Sequence, residues 1–342
     1  MTRARLGKKI PPSLSLDAEF ELAPGVTALY GRPESGRTLI LDMLAGFATP
    51  DSGRILVDDA IVFDATARVN VPPRLRQCGY IFQRDALFPH LTLRQNLDFA
   101  AAHWPRLERH RRVAETLERF QLAEAADLSP RDAAPEVRLR SSAARALIAE
   151  PKLLLIDDCG IEEALLAQIR PVSKAPILLV TRDLDLCSTA AAQLLVLDGG
   201  RIAQRGAPLE VLDQPDSVEV ARLLGIPNLF QATVAALDPG RNTSRLEFEH
   251  FALTGPYIRG HFRGDRVWVA IDAEKLLVRP ANGEAPANCV PAPLLRAAER
   301  SRSVRLEFAY GITAEISREE FARQKDNKSW QVEFPPAALR IL

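Results

Sequence analysis

Gly31-Arg32-Pro33-Glu34-Ser35-Gly36-Arg37-Thr38 has the spacing of a loop that cradles phosphate. In the template G-x-x-x-x-G-K-[ST], backbone N–H groups and the positive end of the following helix converge on an anion. Gly31, Gly36 and Thr38 fit it, and Arg37 stands where the lysine belongs. An arginine still offers a charged donor, but its planar fork is bulkier and aimed differently from an ammonium. Pro33 has no N–H to give to a cradle. Glu34 places a carboxylate near a bound polyphosphate. At about 6 Å and an effective dielectric of about 20, one pair of unit charges repels by roughly 3 kcal/mol. That weakens binding on the order of a hundredfold, unless Glu34 rotates away or pairs with Arg32 or Arg37. Thr38 keeps a hydroxyl suited to Mg2+. Further along, the apolar run Leu153–Ile156 ends in Asp157-Asp158, and Cys78–Phe82 ends in Gln83.

These groups need a parallel sheet to gather them. Val26–Tyr30 reads as a strand, followed by the glycine loop and a helix with Leu39, Leu41, Met43, Leu44 and Phe47 as its apolar positions. Residues 13–30 form two strands around Ala23-Pro24-Gly25. Arg54–Val57 and Ile61–Phe63 make a hairpin across Asp58-Asp59. Residues 92–149 are helical and rich in Arg, Glu and Ala. Leu153–Ile156 is a core strand delivering acid to the end of the sheet. The segment Glu162–Ile169 is a short helix, Ile177–Thr181 a further core strand, and Leu194–Leu197 pairs with Arg201–Ala203 across Asp198-Gly199-Gly200.

The run GYIFQRDALFPHLTLRQNL, Gly79 to Leu97, resembles the Q-loop of ABC-transporter ATPases, and its spacing from the glycine loop suits that family. GVTALYG, AGFATPDSGRI and LFPHLTLRQNL resemble most closely the ATPase subunits of molybdate and related oxyanion importers. The resemblance extends from about Leu14 to the C-terminus. It implies an α/β P-loop NTPase fold with a helical subdomain at about 88–149, together spanning 1–226. A small all-β, OB-like accessory domain of TOBE/Mop type follows at 227–342. The break falls at Gly225-Ile226-Pro227-Asn228. Beyond it Arg245–Phe248 recurs as Arg305–Phe308, and Val267–Ile271 has a counterpart in Trp330–Phe334. Two copies of a β-unit are therefore expected, joined by the Pro- and Ala-rich stretch 280–293.

The family's cofactors are ATP and Mg2+. By resemblance Gly31–Thr38 hold phosphate, and Thr38, Gln83 and Asp157 serve the metal. Asp158 takes the place of the catalytic glutamate, one methylene shorter, and Arg182 the place of the switch histidine. Arg182 cannot act as a neutral hydrogen-bonding switch, and the expectation for it is a surface ion pair with Asp183 or Asp185 rather than a phosphate contact. Anchoring on Ala144–Leu147 sets Ala133-Ala134-Pro135-Glu136-Val137 over the signature LSGGQ, without its serine or glycines. Gly160-Ile161-Glu162-Glu163 does not match the family's D-loop. Hydrolysis in this family needs two subunits, each completing the other's site. A homodimer would carry both sets of losses, and an intact paralogue would leave one loss in each site. Two functions follow as expectations: an importer ATP-binding subunit with weak or lost hydrolysis, or a pseudo-ATPase that docks on or regulates a transporter.

The whole-chain bounds agree with this reading. At 342 residues two domains are expected. Lys+Arg and Asp+Glu both number 44, which gives no support to bulk binding of nucleic acid. The cysteines Cys78, Cys159, Cys187 and Cys289 show no zinc spacing and read as reduced thiols. No apolar run reaches the roughly 18–20 residues of a membrane span. The expected place is cytoplasmic, peripheral on the inner face of the membrane, through a permease subunit docked near Gln83.

Overall fold

The computed structural model describes residues 2–10, 14–281, 287–325, 327 and 329–342. Part of the Pro- and Ala-rich stretch 280–293 therefore lies outside the described residues. The chain divides into two compact units, Met1–Asp213 and Gln214–Leu342.

The first unit opens with β1 (Thr2–Ile10), β2 (Leu14–Leu22) and β3 (Val26–Gly31), followed by α1 (Arg37–Ala45). Next come β4 (Ser52–Val57), β5 (Ala60–Asp64), β6 (Val69–Asn70) and β7 (Cys78–Ile81). Three helices follow: α2 (Leu93–Ala100), α3 (Arg106–Arg119) and α4 (Pro135–Ile148). The unit continues with β8 (Leu153–Asp157), α5 (Glu163–Ile169), β9 (Ile177–Val180) and α6 (Leu184–Ala190). It closes with β10 (Gln193–Asp198), β11 (Arg201–Gly206) and α7 (Pro208–Asp213).

One sheet is antiparallel, in the order β2-β1-β4-β5-β6. The basic N-terminal segment, which carries no strand signal of its own, forms β1 and pairs along its whole length with β2. Thr2, Ala4 and Leu6 face inward while Arg3 and Arg5 point out toward Glu21 and Glu19. The hairpin β4–β5 turns on Asp58 and Asp59, both at positive φ, the twist that two-residue hairpins favour.

The second sheet runs β11-β10-β3-β9-β8-β7, and every neighbour from β10 to β7 is parallel. Its strands are apolar at consecutive positions because both faces are covered. Leu153, Leu155, Leu178 and Val180 join α1 (Ile40, Leu41, Met43, Leu44) and the first sheet in one cluster. Leu154, Ile156, Ile177 and Leu179 face the other way, into a cluster with Leu97, Val113, Leu117 and Leu147 of the helices. Phe47, which the helical pattern assigns to the core, lies beyond the αL cap at Gly46 and is 57% exposed. It rests against the stacked pair Tyr80–Phe82.

The second unit begins with α8 (Val218–Leu223), ahead of the break that the sequence shows at Gly225–Asn228. Ala221 and Ile226 are buried with Ala270, which ties this helix to the β-rich part. There follow β12 (Asn228–Asp238), β13 (Thr243–Glu247), β14 (Ala252–Pro256), β15 (Arg266–Ile271), β16 (Leu277–Pro280) and β17 (Cys289–Pro291). The last elements are β18 (Leu294–Glu299), β19 (Ser303–Phe308), β20 (Thr313–Ser317), α9 (Arg318–Gln324), β21 (Trp330–Glu333) and β22 (Arg340–Ile341). The recurrence in sequence is a recurrence in register. Arg245 and Arg305 occupy the middle strands of β12-β13-β14 and β18-β19-β20, and Leu246↔Leu253 answers Leu306↔Ala314. A bulge interrupts both β12 and β18.

The two copies exchange a side chain. Asn228 accepts from Thr313 N–H at 2.7 Å and donates to the carbonyls of Thr313 and Ile271. Asn288 accepts from Thr254 N–H at 2.6 Å and donates to the carbonyls of Thr254 and Phe334. Each copy thus reaches across to the third strand of the other. Asn228 is fully buried, so Asn228→Ala strands an amide N–H and two carbonyls without water. The expected loss is about 3 kcal/mol. Denaturant unfolding followed by the emission of Trp330, buried in this unit, checks it; an unchanged midpoint would show that these bonds contribute nothing net.

Candidate nucleotide site

Parallel pairing brings the chemistry to one edge. Ile81 is level with Ile156, and Asp157 with Val180. Gln83 and Asp158 each follow two residues after Ile81 and Ile156, and Thr181-Arg182 follow Val180. The glycine loop leaves β3 at the same end and enters α1, the crevice position where open parallel sheets receive ligands.

Gly31 is required by packing: a Cβ there would stand 2.6 Å from the Leu197 carbonyl oxygen on β10. Glu34 (φ 64°) and Gly36 (φ 99°) curl the loop back through left-handed backbone. No side chain caps α1. Ser35 is buried and its hydroxyl has no partner among the described residues. An uncapped helix N-terminus and an unsatisfied buried hydroxyl are groups suited to an anion.

The Thr38 hydroxyl donates to Asp157 Oδ1 at 3.1 Å. Asp157 is 4% exposed, and burial raises its carboxyl above the usual aspartate value, with the Thr38 hydrogen bond opposing. Arg37 is buried and donates from Nη1 to the Thr181 carbonyl at 3.2 Å. Burial lowers its guanidinium from the usual value, and the charge of Asp158 is the largest influence holding it up. Arg32, Pro33 and Glu34 are exposed. Glu34 makes no ion pair among the described residues, with Arg32 and Arg37 included.

Arg182 corrects its expectation. Its Nε lies 2.9 Å from Asp158 Oδ2. Asp183 is engaged elsewhere, its Oδ1 accepting from the Leu186 N–H to cap α6. Asp158 sits at φ 31°, a strained value for a side-chain-bearing residue. The charge match of Asp158 with Arg182 was visible in the sequence only to a reader who had already set β8 beside β9.

Gln83 is exposed on the loop after β7. The residues behind it are fastened to α4, a feature the sequence reading missed. Arg138 Nε meets Asp85 Oδ2 at 2.7 Å, and Arg145 Nη1 donates to the Ala86 carbonyl at 2.6 Å while lying over the Phe88 ring. Between this loop and α4–α5 runs a groove of about 710 Å3. The start of α4 has Ala134 at the cap, Pro135 in the first turn and Glu136 exposed, with no side-chain cap.

The model of the family described as ABC transporter matches residues 16–160. A molybdenum import ATP-binding protein, ModC, of Paramagnetospirillum magneticum is 31% identical over 243 residues, covering 68% of this chain and 67% of that protein. The chain belongs to the ABC transporter ATP-binding family. The spermidine/putrescine import ATP-binding protein PotA of Vibrio cholerae is 31% identical over 287 residues, covering 80% of this chain and 72% of its own. Among solved structures, an ATP-binding subunit of an ABC transporter superposes with a TM-score of 0.53 at 23% identity. It covers 62% of this chain and 91% of its own, and shows the fold alone.

The ABC ATP-binding family binds ATP with Mg2+, and the residues present fit the two in part. The Ser35 hydroxyl, the uncapped start of α1 and the Thr38–Asp157 pair suit phosphate and metal. Past them, the Arg37–Thr181 and Arg182–Asp158 contacts occupy the strand ends where this ABC chain's catalytic side chains are expected.

Proposed function

We propose that the chain is the ATP-binding subunit of an ABC importer, of molybdate or a related oxyanion, in which hydrolysis is weakened or lost. The observation that carries the loss is the Arg182–Asp158 ion pair. A carboxylate that must accept a proton from water is instead held by a guanidinium. The molybdenum import protein ModC from Paramagnetospirillum magneticum supports the substrate class. Gly31–Thr38 bind phosphate in this reading, Thr38 and Asp157 hold Mg2+ and Gln83 approaches it. The chain works with a second ATP-binding subunit and with a permease docked near Gln83 on the inner face of the membrane. No helix among the described residues is long and apolar enough to cross one.

Purified chain with Mg-ATP is expected to release phosphate no faster than its Thr38→Ala variant. Turnover at the rate of ordinary members, abolished in that variant, would overturn the loss. The two ties between α4 and residues 85–86 favour a second reading, a docking or regulatory module. It predicts that a membrane partner is retained by Thr38→Ala as well as by the native chain.

A further inference from the structure

We infer that the loop Gly31–Thr38 selects a ligand ending in a diphosphate over one ending in a triphosphate. The inference rests on the proposed nucleotide-binding reading and names its ligand class.

The favourable groups are concentrated in the loop and the first turn of α1. The α1 helix is nine residues long with no side-chain cap, and the buried Ser35 hydroxyl beside it has no partner. A Cβ placed on Gly31 would come within 3.0 Å of that hydroxyl, so the Ser35 side chain lies against the end of β3 beneath the loop. Glu34 and Gly36 supply left-handed turns of the kind that anion-binding loops use, with the Ser35 N–H turned back to the Arg32 carbonyl at 3.2 Å. The Ser35 hydroxyl and the uncapped first turn of α1 are the groups left for an acceptor.

The groups around the next position are already engaged with one another. Arg37 gives its Nη1 to the Thr181 carbonyl, and Arg182, one residue on, is paired with Asp158. Asp158 and Arg182 both act on the Arg37 charge, with Asp158 the stronger. A further phosphate meets one guanidinium paired with a carboxylate and another whose Nη1 is given to a carbonyl. To gain either guanidinium it must separate an ion pair or a buried hydrogen bond, and separating the pair leaves Asp158 facing the added charge. Nothing compensates across a dimer in this reading: the equivalent of the signature loop, Ala133–Val137, has no side-chain cap and carries the Glu136 carboxylate in the first turn of α4.

The test is calorimetric titration of the full chain with ADP and ATP, and separately with pyrophosphate and tripolyphosphate, each with Mg2+. The second pair separates a diphosphate from a nucleoside as the source of recognition. The shorter member of each pair is expected to bind at least about tenfold more tightly. Asp158→Asn removes the charge with little change of shape and frees Arg182. It is expected to raise affinity for ATP at least about tenfold while leaving ADP nearly unchanged. Native chain binding ATP as tightly as ADP overturns the selectivity and leaves the nucleotide reading standing. So does an ATP-to-ADP ratio that Asp158→Asn does not move. Binding of none of these ligands at millimolar concentration overturns the nucleotide reading itself, and the selectivity with it.

Discussion

A chain carrying Arg37→Lys, Asp158→Glu and Arg182→His is expected to bind Mg-ATP and still not turn it over. Turnover should appear only when the start of α4 is rebuilt as well, with Ala133→Leu, Ala134→Ser, Pro135→Gly, Glu136→Gly and Val137→Gln. The first three substitutions dissolve the cluster at the strand ends. A lysine releases the Thr181 carbonyl, a glutamate regains the missing methylene, and a histidine removes the fixed positive charge that holds the carboxylate. They repair only the half of a composite site that one chain owns. In the proposed reading the other half, across a dimer, is the N-terminus of α4. Pro135 offers it no N–H, no side chain caps it, and Glu136 confronts the phosphate with like charge. A positioned general base is worth about 10²–10⁴ in rate, and preorganised anion donors about 10²–10³. Neither has value without the other, because groups that act as a unit do not contribute additively. Phosphate release by the eight-fold variant is thus expected to exceed that of the native chain by at least about 10³. Full turnover from the three substitutions alone would show that α4 takes no part.

The parallel sheet was legible because its strands are apolar on both faces. Cys78–Ile81, Leu153–Ile156 and Ile177–Val180 stand out as runs that no solvated segment would carry. The family resemblance assigns Thr38 and Asp157 to one metal, and the structure has the two side chains hydrogen-bonded. Contacts between ends of different strands were not legible. Arg182 beside Asp183 and Asp185 has local partners by proximity in sequence, yet α6 takes the Asp183 carboxylate for its cap and leaves Arg182 to the neighbouring strand. β1 escaped notice because its inward positions are Thr2, Ala4 and Leu6, a face too small and mixed to read as a strand beside Arg3 and Arg5. The β-repeat was visible as a four-letter echo, whereas the reciprocal Asn228 and Asn288 bonds were not. A lone asparagine near a strand start reads as a turn residue, and only the tertiary structure reveals the backbone it serves.

Arg76→Met is expected to destabilise the first unit by about 4 kcal/mol, a large share of the roughly 5–15 kcal/mol that holds a domain together. In the sequence Arg76 follows Pro72-Pro73 in a polar loop and looks like a solvated side chain. In the structure it is 2% exposed and makes no ion pair among the described residues. Its guanidinium donates to the carbonyls of Met43 and Leu44 at 2.7 and 3.0 Å, to Val71 at 2.7 Å and to Asn70 Oδ1 at 2.9 Å. Met43 and Leu44 belong to the last turn of α1, where carbonyls lack intrahelical partners and a positive charge meets the negative end of the helix. Arg76 therefore holds the far end of the helix whose other end forms the candidate phosphate site. Gly46 makes room for it: a Cβ there would lie 2.7 Å from Arg76 Nε, and its φ of 90° also opposes any side chain. Burial lowers the guanidinium from its usual value, so the charge is held at a cost that the four acceptors offset. Methionine fills much of the volume and satisfies none of them, and each abandoned buried acceptor costs about 1–3 kcal/mol. Arg76→Lys keeps the charge but cannot reach all four acceptors with one ammonium, and should fall between the two. Urea unfolding read by circular dichroism, with Trp104 emission reporting on this unit, measures the series. A native-like midpoint for Arg76→Met would mean that water replaces the guanidinium at the end of α1, and that the helix needs no such anchor.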